Sequence, residues 1–171
     1  MILPLTFGTL RPWTMLDAAS LVRHANNPFV SGNMRDAFPY PYTMDHAVQW
    51  LTHTIENTKD ILFAIDINGE AVGGIGVMPR TDVYRKSAEI GYWLGEIYWG
   101  KGFATEAVYV MTEYALANTE LVRIFAEVFE RNKASLRVLE KSGYYLESIA
   151  KKAVIKNEIL MDEYVMVRLK A

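Results

Sequence analysis

The chain contains no cysteine. That absence removes disulfides, thiolate metal ligands and cysteine nucleophiles together, and with them any cysteine acyl-enzyme. Long apolar runs are missing too: none reaches the roughly 18–20 residues that a bilayer-spanning helix requires. The opening Met-Ile-Leu-Pro-Leu-Thr has neither a basic segment nor a cleavage site, so no secretory signal is expected and a cytoplasmic location is the simplest account. Net charge is only −2, so no general basic field gathers nucleic acid or anionic membrane, and neither is expected as a partner. His24, His46 and His53 lie in the N-terminal part without metal-ligand spacing; they read as structural or surface residues, and no metal is expected. Repeats, low-complexity tracts and linkers do not occur.

What remains is the composition of one globular domain over residues 1–171, with 51% hydrophobic and 22% charged residues and length enough to bury a core. Leu3 to Trp13 reads as a first strand, closed by Arg11-Pro12. Thr14 has the chemistry of an N-cap for a helix carrying Leu16, Ala19, Leu21 and Val22, and Asn26-Asn27-Pro28 turns the chain after it. Phe38-Pro39-Tyr40-Pro41-Tyr42 is stiff and cannot be interior helix. Thr43 then caps a second helix with Ala47, Trp50, Leu51 and Ile55 on one face. This helical pair either walls a substrate pocket or covers one end of a sheet. Asp60–Asp66 and Glu70–Met78 form strands about the hairpin turn Asn68-Gly69, and Gly73, Gly74 and Gly76 weaken the second strand and mark a bulge or a close approach by another chain. Leu121–Phe129 is a further strand, with Val122, Ile124, Ala126 and Val128 on one face. Asn132–Ser142 is a short helix stopped by Gly143, and Tyr144–Lys156 with Glu158–Leu169 makes a final antiparallel pair. The order is strand, two helices, three strands, helix, strand, helix, two strands, a mixed α/β (α+β) domain.

Glu89 to Ala107 is the most informative stretch. An apolar, aromatic strand leads into a loop where Gly95, Gly100 and Gly102 surround Lys101, and a small-residue helix follows to about Ala117. A strand, a glycine loop and a helix N-terminus in succession make a site for a phosphate-bearing ligand, because unpaired N–H groups and the helix dipole both favour negative charge. Two familiar loops fail here. The nucleoside-triphosphate pattern G-x-x-x-x-G-K-[ST] breaks at Gly102, which has no hydroxyl for Mg²⁺. The dinucleotide pattern G-x-G-x-x-G breaks at Thr105, and no acidic residue ends the next strand.

Trp99-Gly100-Lys101-Gly102-Phe103-Ala104 resembles the acyl-CoA-binding motif, Q/R-x-x-G-x-G/A, of the GNAT acetyltransferase superfamily. Trp99 stands where Gln or Arg is usual, a departure shared with the RimJ/RimL-like branch, whose loops Tyr98 to Ala107 resembles. Phe38 to Thr43 looks like that branch's proline-tyrosine segment, Asn132 to Ser135 with Glu140 to Tyr144 like its second motif, and Asp162-Glu163-Tyr164 like the start of its last strand. Three motifs in order are more specific than one glycine loop. The resemblance implies a mostly antiparallel central sheet of about seven strands flanked by about four helices, an N-acetyltransferase activity and acetyl-CoA as co-substrate. The acceptor implied is a primary amine, of a small molecule or a protein N-terminus, with homodimers frequent among relatives. The loop Trp99, Gly100, Lys101, Gly102, Phe103, Ala104 and Thr105 would hold the CoA pyrophosphate, Lys101 being either a charge for it or a solvated loop residue. The pantetheine arm would lie like an extra strand beside the central strand, which splays from the next one, pairing with backbone groups of Tyr92, Trp93 and Leu94.

The chemistry needs a base for the amine and a proton for the leaving thiolate. Glu89, next to a buried run whose desolvation would raise its pKa, matches a base position of some superfamily members; the other reading is a strand-end carboxylate paired with Arg85 or Lys86. Many members carry a Tyr acid where this chain has Leu139, which cannot donate. Ser135, matching a serine of the branch, and Asn132 share a helix face and could bond to CoA or its sulfur, with N-capping the other use of Asn132. Tyr144 and Tyr145 are secondary donors. Glu147, Glu158, Asp162 and Glu163 either attract a cationic amine or form a solvated hairpin. Without cysteine, direct transfer in a ternary complex is expected. A non-catalytic acyl-CoA-binding sensor or scaffold is the alternative, which Leu139 makes conceivable.

Overall fold

The computed structural model describes all residues, Met1–Ala171. The N-terminal half contains β1 (Leu3–Pro4), β2 (Thr9–Pro12), α1 (Ala18–Ala25), α2 (Pro28–Ser31), α3 (Met44–Glu56), β3 (Ile61–Ile67) and β4 (Glu70–Pro79). The C-terminal half contains β5 (Ser87–Leu94), α4 (Phe103–Asn118), β6 (Arg123–Phe129), α5 (Lys133–Lys141), β7 (Tyr145–Lys156) and β8 (Ile159–Leu169). One eight-stranded sheet results, in the order β1-β2-β3-β4-β5-β6-β8-β7. Every neighbouring pair is antiparallel except β5 and β6, the pair joined through α4. A parallel pair needs such a crossover, whereas the antiparallel pairs β1–β2, β3–β4 and β7–β8 close through short turns.

Local sequence explains most of the boundaries. Asn68 and Gly69 both take positive φ, 56° and 84°, and close the β3–β4 hairpin at the predicted turn. Ala107, Val108, Met111, Thr112, Ala115 and Leu116 are buried along α4, a stripe at helical spacing that lies on the sheet. Tyr144 N donates to Leu139 O (3.0 Å) around Gly143, whose φ of 86° ends α5 as expected.

Two counts differ from expectation. The first strand is two, because the chain folds back at Leu5–Gly8, with Leu5 N donating to Gly8 O (2.9 Å) and Leu3 paired to Leu10. The fifth helix is α2. Asn27, expected only to turn the chain, accepts from Phe29 N (2.8 Å) and Val30 N (3.3 Å), and Pro28 supplies a preset φ for the first turn. Helix α1 also starts later than its apolar pattern implied: Met15–Asp17 is a 3₁₀ turn, and Leu16 is 93% exposed.

The sheet separates two cores. On the α4/α5 side 22 buried residues form one cluster; on the α1/α3 side only 10 do, so the second layer is thinner. Arg11 ties that thinner layer to the sheet. Its guanidinium donates twice to Asp17 (2.9 and 2.8 Å) and once to Asp66 on β3 (2.7 Å), while Thr14 N donates to Asp17 (2.9 Å). Burial alone would push the Asp17 carboxyl up, but the Arg11 and Thr14 hydrogen bonds hold it below its ordinary value. A carboxylate depressed in the folded state stabilises the fold above its unfolded pKa and loses that contribution as pH falls through the folded value. Asp17→Asn is therefore expected to cost roughly 2 kcal/mol at neutral pH, since it leaves the part-buried Arg11 guanidinium with Asp66 as its one carboxylate partner, and to flatten the acid limb of the stability curve. Urea unfolding from pH 7 down to pH 3 measures both effects.

Candidate functional site

Strands β5 and β6 are hydrogen-bonded for three residue pairs only, Ser87–Arg123, Ala88–Ile124 and Glu89–Phe125. Beyond Glu89 they part. The outer edge of β5 stays paired with β4 as far as Leu94, and that of β6 with β8 as far as Phe129. Both strands are thus held rigidly from outside while their facing edges diverge, and the backbone groups along those edges have no strand to pair with. An extended, amide-bearing chain fits such an opening as a further strand would.

The glycine loop stands past the end of β5. Gly100 and Gly102 take φ of 73° and 81°, the left-handed region, with no atom within 4 Å of where a Cβ would stand at either. Conformation, not crowding, demands glycine here. Gly102 opens α4 with no side-chain cap, and the first helical bond is from Glu106 N to Gly102 O (3.1 Å). The amides at 103–105 are therefore directed out of the helix end, suited to an anion. Trp99 holds the loop down, donating from its indole to Leu94 O (2.7 Å). That bond occupies one lone pair of a carbonyl expected to face pantetheine. Lys101 lies with Nζ 5.6 Å from the Tyr98 ring centroid, a cation–π contact. From below, Phe7 stacks on Phe103 at 4.1 Å and Thr6 donates to Glu106 through N (2.7 Å) and Oγ1 (2.6 Å), a buttress from the N-terminal hairpin that sequence gave no sign of.

Strand alternation sends Glu89 to the α1/α3 side of the opening and Tyr92 to the other. Glu89 is not paired with Arg85 or Lys86. Arg35, from the loop after α2, donates to Glu89 (2.5 Å) and to Glu127 of β6 (2.9 Å), bridging the two diverging strands. Glu163 of β8 joins this acidic group; burial first, then repulsion from Glu127 and Glu89, pushes its carboxyl up. Of the other acidic residues weighed from sequence, Glu147 pairs with Arg123 (2.6 Å) and Asp162 with Lys151 (2.8 Å).

Opposite, Ser135 Oγ lies 2.6 Å from the Tyr92 hydroxyl, joining α5 to β5. Asn132 caps α5, accepting from Ser135 N (3.2 Å), so Asn132 fixes the turn that presents Ser135. Burial pushes the Tyr92 phenol up, well above neutrality, so it stays protonated and able to donate. Tyr144 sits in the larger core with its hydroxyl 2.6 Å from Thr112 Oγ1, and Tyr145 is half exposed on β7, the outermost strand. Leu139 is fully buried. His24 is structural: Nε2 lies 2.9 Å from Glu70 and the ring packs edge-on to Tyr98. No group of three or more His, Cys, Asp or Glu is placed to hold a metal.

Sequence reasoning missed Arg35, Glu127 and the side-chain role of Tyr92. For Glu127 a signal existed: in the β6 alternation it is a lone carboxylate on the face shared with Phe125 and Phe129. Arg35 gave none, being 54 residues from Glu89 along the chain.

Comparisons with known proteins bear on the family and the fold. The family described as acetyltransferase (GNAT) domain matches residues 9–145. The chain is 37% identical over 168 residues to an uncharacterized N-acetyltransferase, p20, of Bacillus licheniformis, covering 95% of this chain and 92% of that protein. It is 44% identical over 95 residues to YjcK of Bacillus subtilis (strain 168), covering 54% of this chain and only 52%, about half, of that relative's length. The solved structure of RimL, a ribosomal L7/L12 alpha-N-protein acetyltransferase in complex with coenzyme A, superposes with a TM-score of 0.88 over 99% of this chain and 98% of its own. At 20% identity, that likeness speaks for the fold alone.

Proposed function

Since the chain belongs to the GNAT acetyltransferase family, we propose that it transfers the acetyl group of acetyl-CoA to a primary amine, directly within a ternary complex. The observation that carries this reading is the splay of β5 from β6 at Glu89, with an uncapped helix N-terminus and a left-handed glycine loop beyond it. The pyrophosphate lies on the loop from Trp99 to Thr105. The pantetheine arm runs down the opening along Tyr92, Trp93 and Leu94, and the thioester arrives between Glu89 and the Tyr92–Ser135 pair. CoA bound to RimL supports the ligand, and that protein's name makes a protein N-terminal amine one acceptor class beside small amines.

The amine enters from the α1/α3 side, where Glu89 and Glu127 attract its ammonium form. Glu89 accepts a proton from the ammonium and releases it to solvent, and the neutral nitrogen attacks the thioester carbonyl carbon. As the C–S bond breaks, the nitrogen gives its second proton to Glu89, leaving a neutral amide. The departing thiolate takes a proton from the Ser135–Tyr92 hydroxyl pair, which solvent restores. These hydroxyls fill the role that Leu139 cannot, and so favour turnover over a sensor or scaffold that only holds acyl-CoA. No covalent enzyme intermediate is formed, in keeping with a chain that has no cysteine.

Two measurements test this. Gly102→Val places a β-branched residue at a φ of 81°, a strain of about 1–3 kcal/mol that the loop relieves by moving. CoA affinity, read by calorimetry, should fall by at least tenfold with cooperative melting retained; unchanged affinity would take the loop out of the site. Glu89→Gln should lower kcat by roughly 100-fold near pH 6, with the deficit narrowing as pH rises and free amine becomes abundant, while CoA affinity stays close to native. A pH–rate profile of native shape, measured by thiol release from acetyl-CoA, would remove Glu89 as the base.

A further inference from the structure

On the α1/α3 face a cavity of about 160 Å³ opens in the thinner layer, reaching Gly91 of β5 and Met78, the β4 residue paired with Glu89. Its walls are the rings of Trp13, Phe38, Trp50 and Trp93, and its lining is overwhelmingly apolar. Phe38 meets Trp93 edge-on at 5.7 Å, and Trp13 meets Trp50 edge-on at 4.9 Å, so the walls are braced against one another.

The floor is made of glycine. Gly74, Gly76 and Gly91 share this face of the sheet, and Gly76 is paired directly with Gly91 across β4 and β5. They are not equivalent. A Cβ on Gly74 would stand 2.8 Å from the Trp93 indole nitrogen, and one on Gly76 would stand 2.5 Å from Leu62 Cδ2; both are already roofed by neighbours. A Cβ on Gly91 would meet only Met78 Cε, at 3.6 Å. The unfilled room therefore lies over Gly91, two residues from Glu89 on the same strand face. Met78, the other contact, is the residue paired with Glu89. Apolar rings around unfilled space forgo the contacts that packed neighbours would give. Here the surrounding rings hold it open two residues along β5 from Glu89, a carboxylate suited to an ammonium.

We propose that this cavity receives an apolar substituent carried next to the amine of the acceptor, so that the preferred substrate is a primary amine flanked by an aromatic or large aliphatic side chain. The inference rests on the reading of Glu89 as the acceptor side of the site and deepens it. The volume sets the scale: an apolar cavity of about 150 Å³ holds one benzene ring. A phenyl or isobutyl group fits, and an amine with no side chain leaves the rings in contact with water. Free amino-acid amides and protein N-termini present the same chemistry.

The test is a matched series with acetyl-CoA and the full chain: glycinamide, alaninamide, leucinamide and phenylalaninamide, with tripeptides beginning with Gly, Leu and Phe as a second arm, read by thiol release. kcat/KM should rise with apolar size, phenylalaninamide or its peptide exceeding the glycine member by roughly 100-fold, since a single methylene in such a pocket already discriminates about 10–200-fold. A preference seen in the amides identifies a small amine, and one confined to the peptides identifies a protein N-terminus; either supports the proposal. Gly91→Val should collapse the ratio toward unity with CoA still bound. Trp50→Ala, which enlarges the cavity instead, should move the optimum from phenylalaninamide to 2-naphthylalaninamide. A flat series, or an order that neither variant changes, overturns the cavity assignment while leaving the transferase reading intact. If CoA binds and no amine releases thiol, the transferase reading itself falls, and the cavity assignment with it.

Discussion

The parallel pairing of β5 and β6 ends at Glu89–Phe125, and the rest of the molecule is arranged to allow it. A strand edge left unpaired inside a sheet is unfavourable unless something satisfies its amides. Here each strand is fully laddered on its outer edge, β5 to β4 and β6 to β8, so neither can shift to close the opening without breaking an existing ladder. The splay is therefore a fixed feature and not a fraying end. Because β5 and β6 are parallel, a crossover must join them, and that crossover is α4. The connection that topology requires thus delivers a helix N-terminus beyond the wide end of the opening. One topological choice supplies both an opening that an extended amide-bearing chain fits and a helix end suited to an anion.

Alternation along β5 then divides the chemistry. Glu89 faces the thinner layer and Tyr92 the thicker one, so a carboxylate and a hydroxyl pair lie on opposite sides of the same gap. The two layers suit these tasks. On the α4/α5 side, dense packing and the Asn132 cap hold Ser135 against Tyr92 at 2.6 Å. On the other side, with fewer buried residues, glycines in β4 and β5 let large rings lie low over the sheet without filling the space above Gly91.

What the sequence made legible follows the range of the forces involved. The Asn68-Gly69 hairpin, the Gly102 helix start, the Gly143 stop and the Asn132 cap are decided within a few residues, and all were readable. The glycines of β4 were read as a bulge or an approach by another chain; what lies over Gly74 and Gly76 is Trp93, Trp13 and Leu62 of this chain, which local reasoning could not name. The division of Leu3–Trp13 into two strands was hidden by an imperfect apolar–polar alternation that runs on across the turn at Leu5–Gly8. Helix α2 was hidden because Asn27-Pro28 serves equally as a turn and as a cap with its first helical residue. The acidic group around Arg35 was least legible, since its partners come from three strands and one loop, and nothing local links them.

That group also shows how opposing electrostatic demands are reconciled. Glu89, Glu127 and Glu163 face one another closely enough for repulsion to be felt at Glu163. Burial raises the Glu163 carboxyl, and like charges so close disfavour its ionised form further. Arg35 offsets the repulsion by bridging two of the three, yet its side chain remains 61% exposed while that of Glu89 is 17% exposed. A guanidinium so open to water contributes only about 0–1 kcal/mol through such contacts. It can hold the carboxylates together and still yield to another cation at little cost. A buried arginine would have neutralised the cluster more firmly and closed it to any amine; an absent one would have left the carboxylates to repel or protonate. Placing the charge on a loop, outside the sheet, keeps the acidic group both intact and accessible.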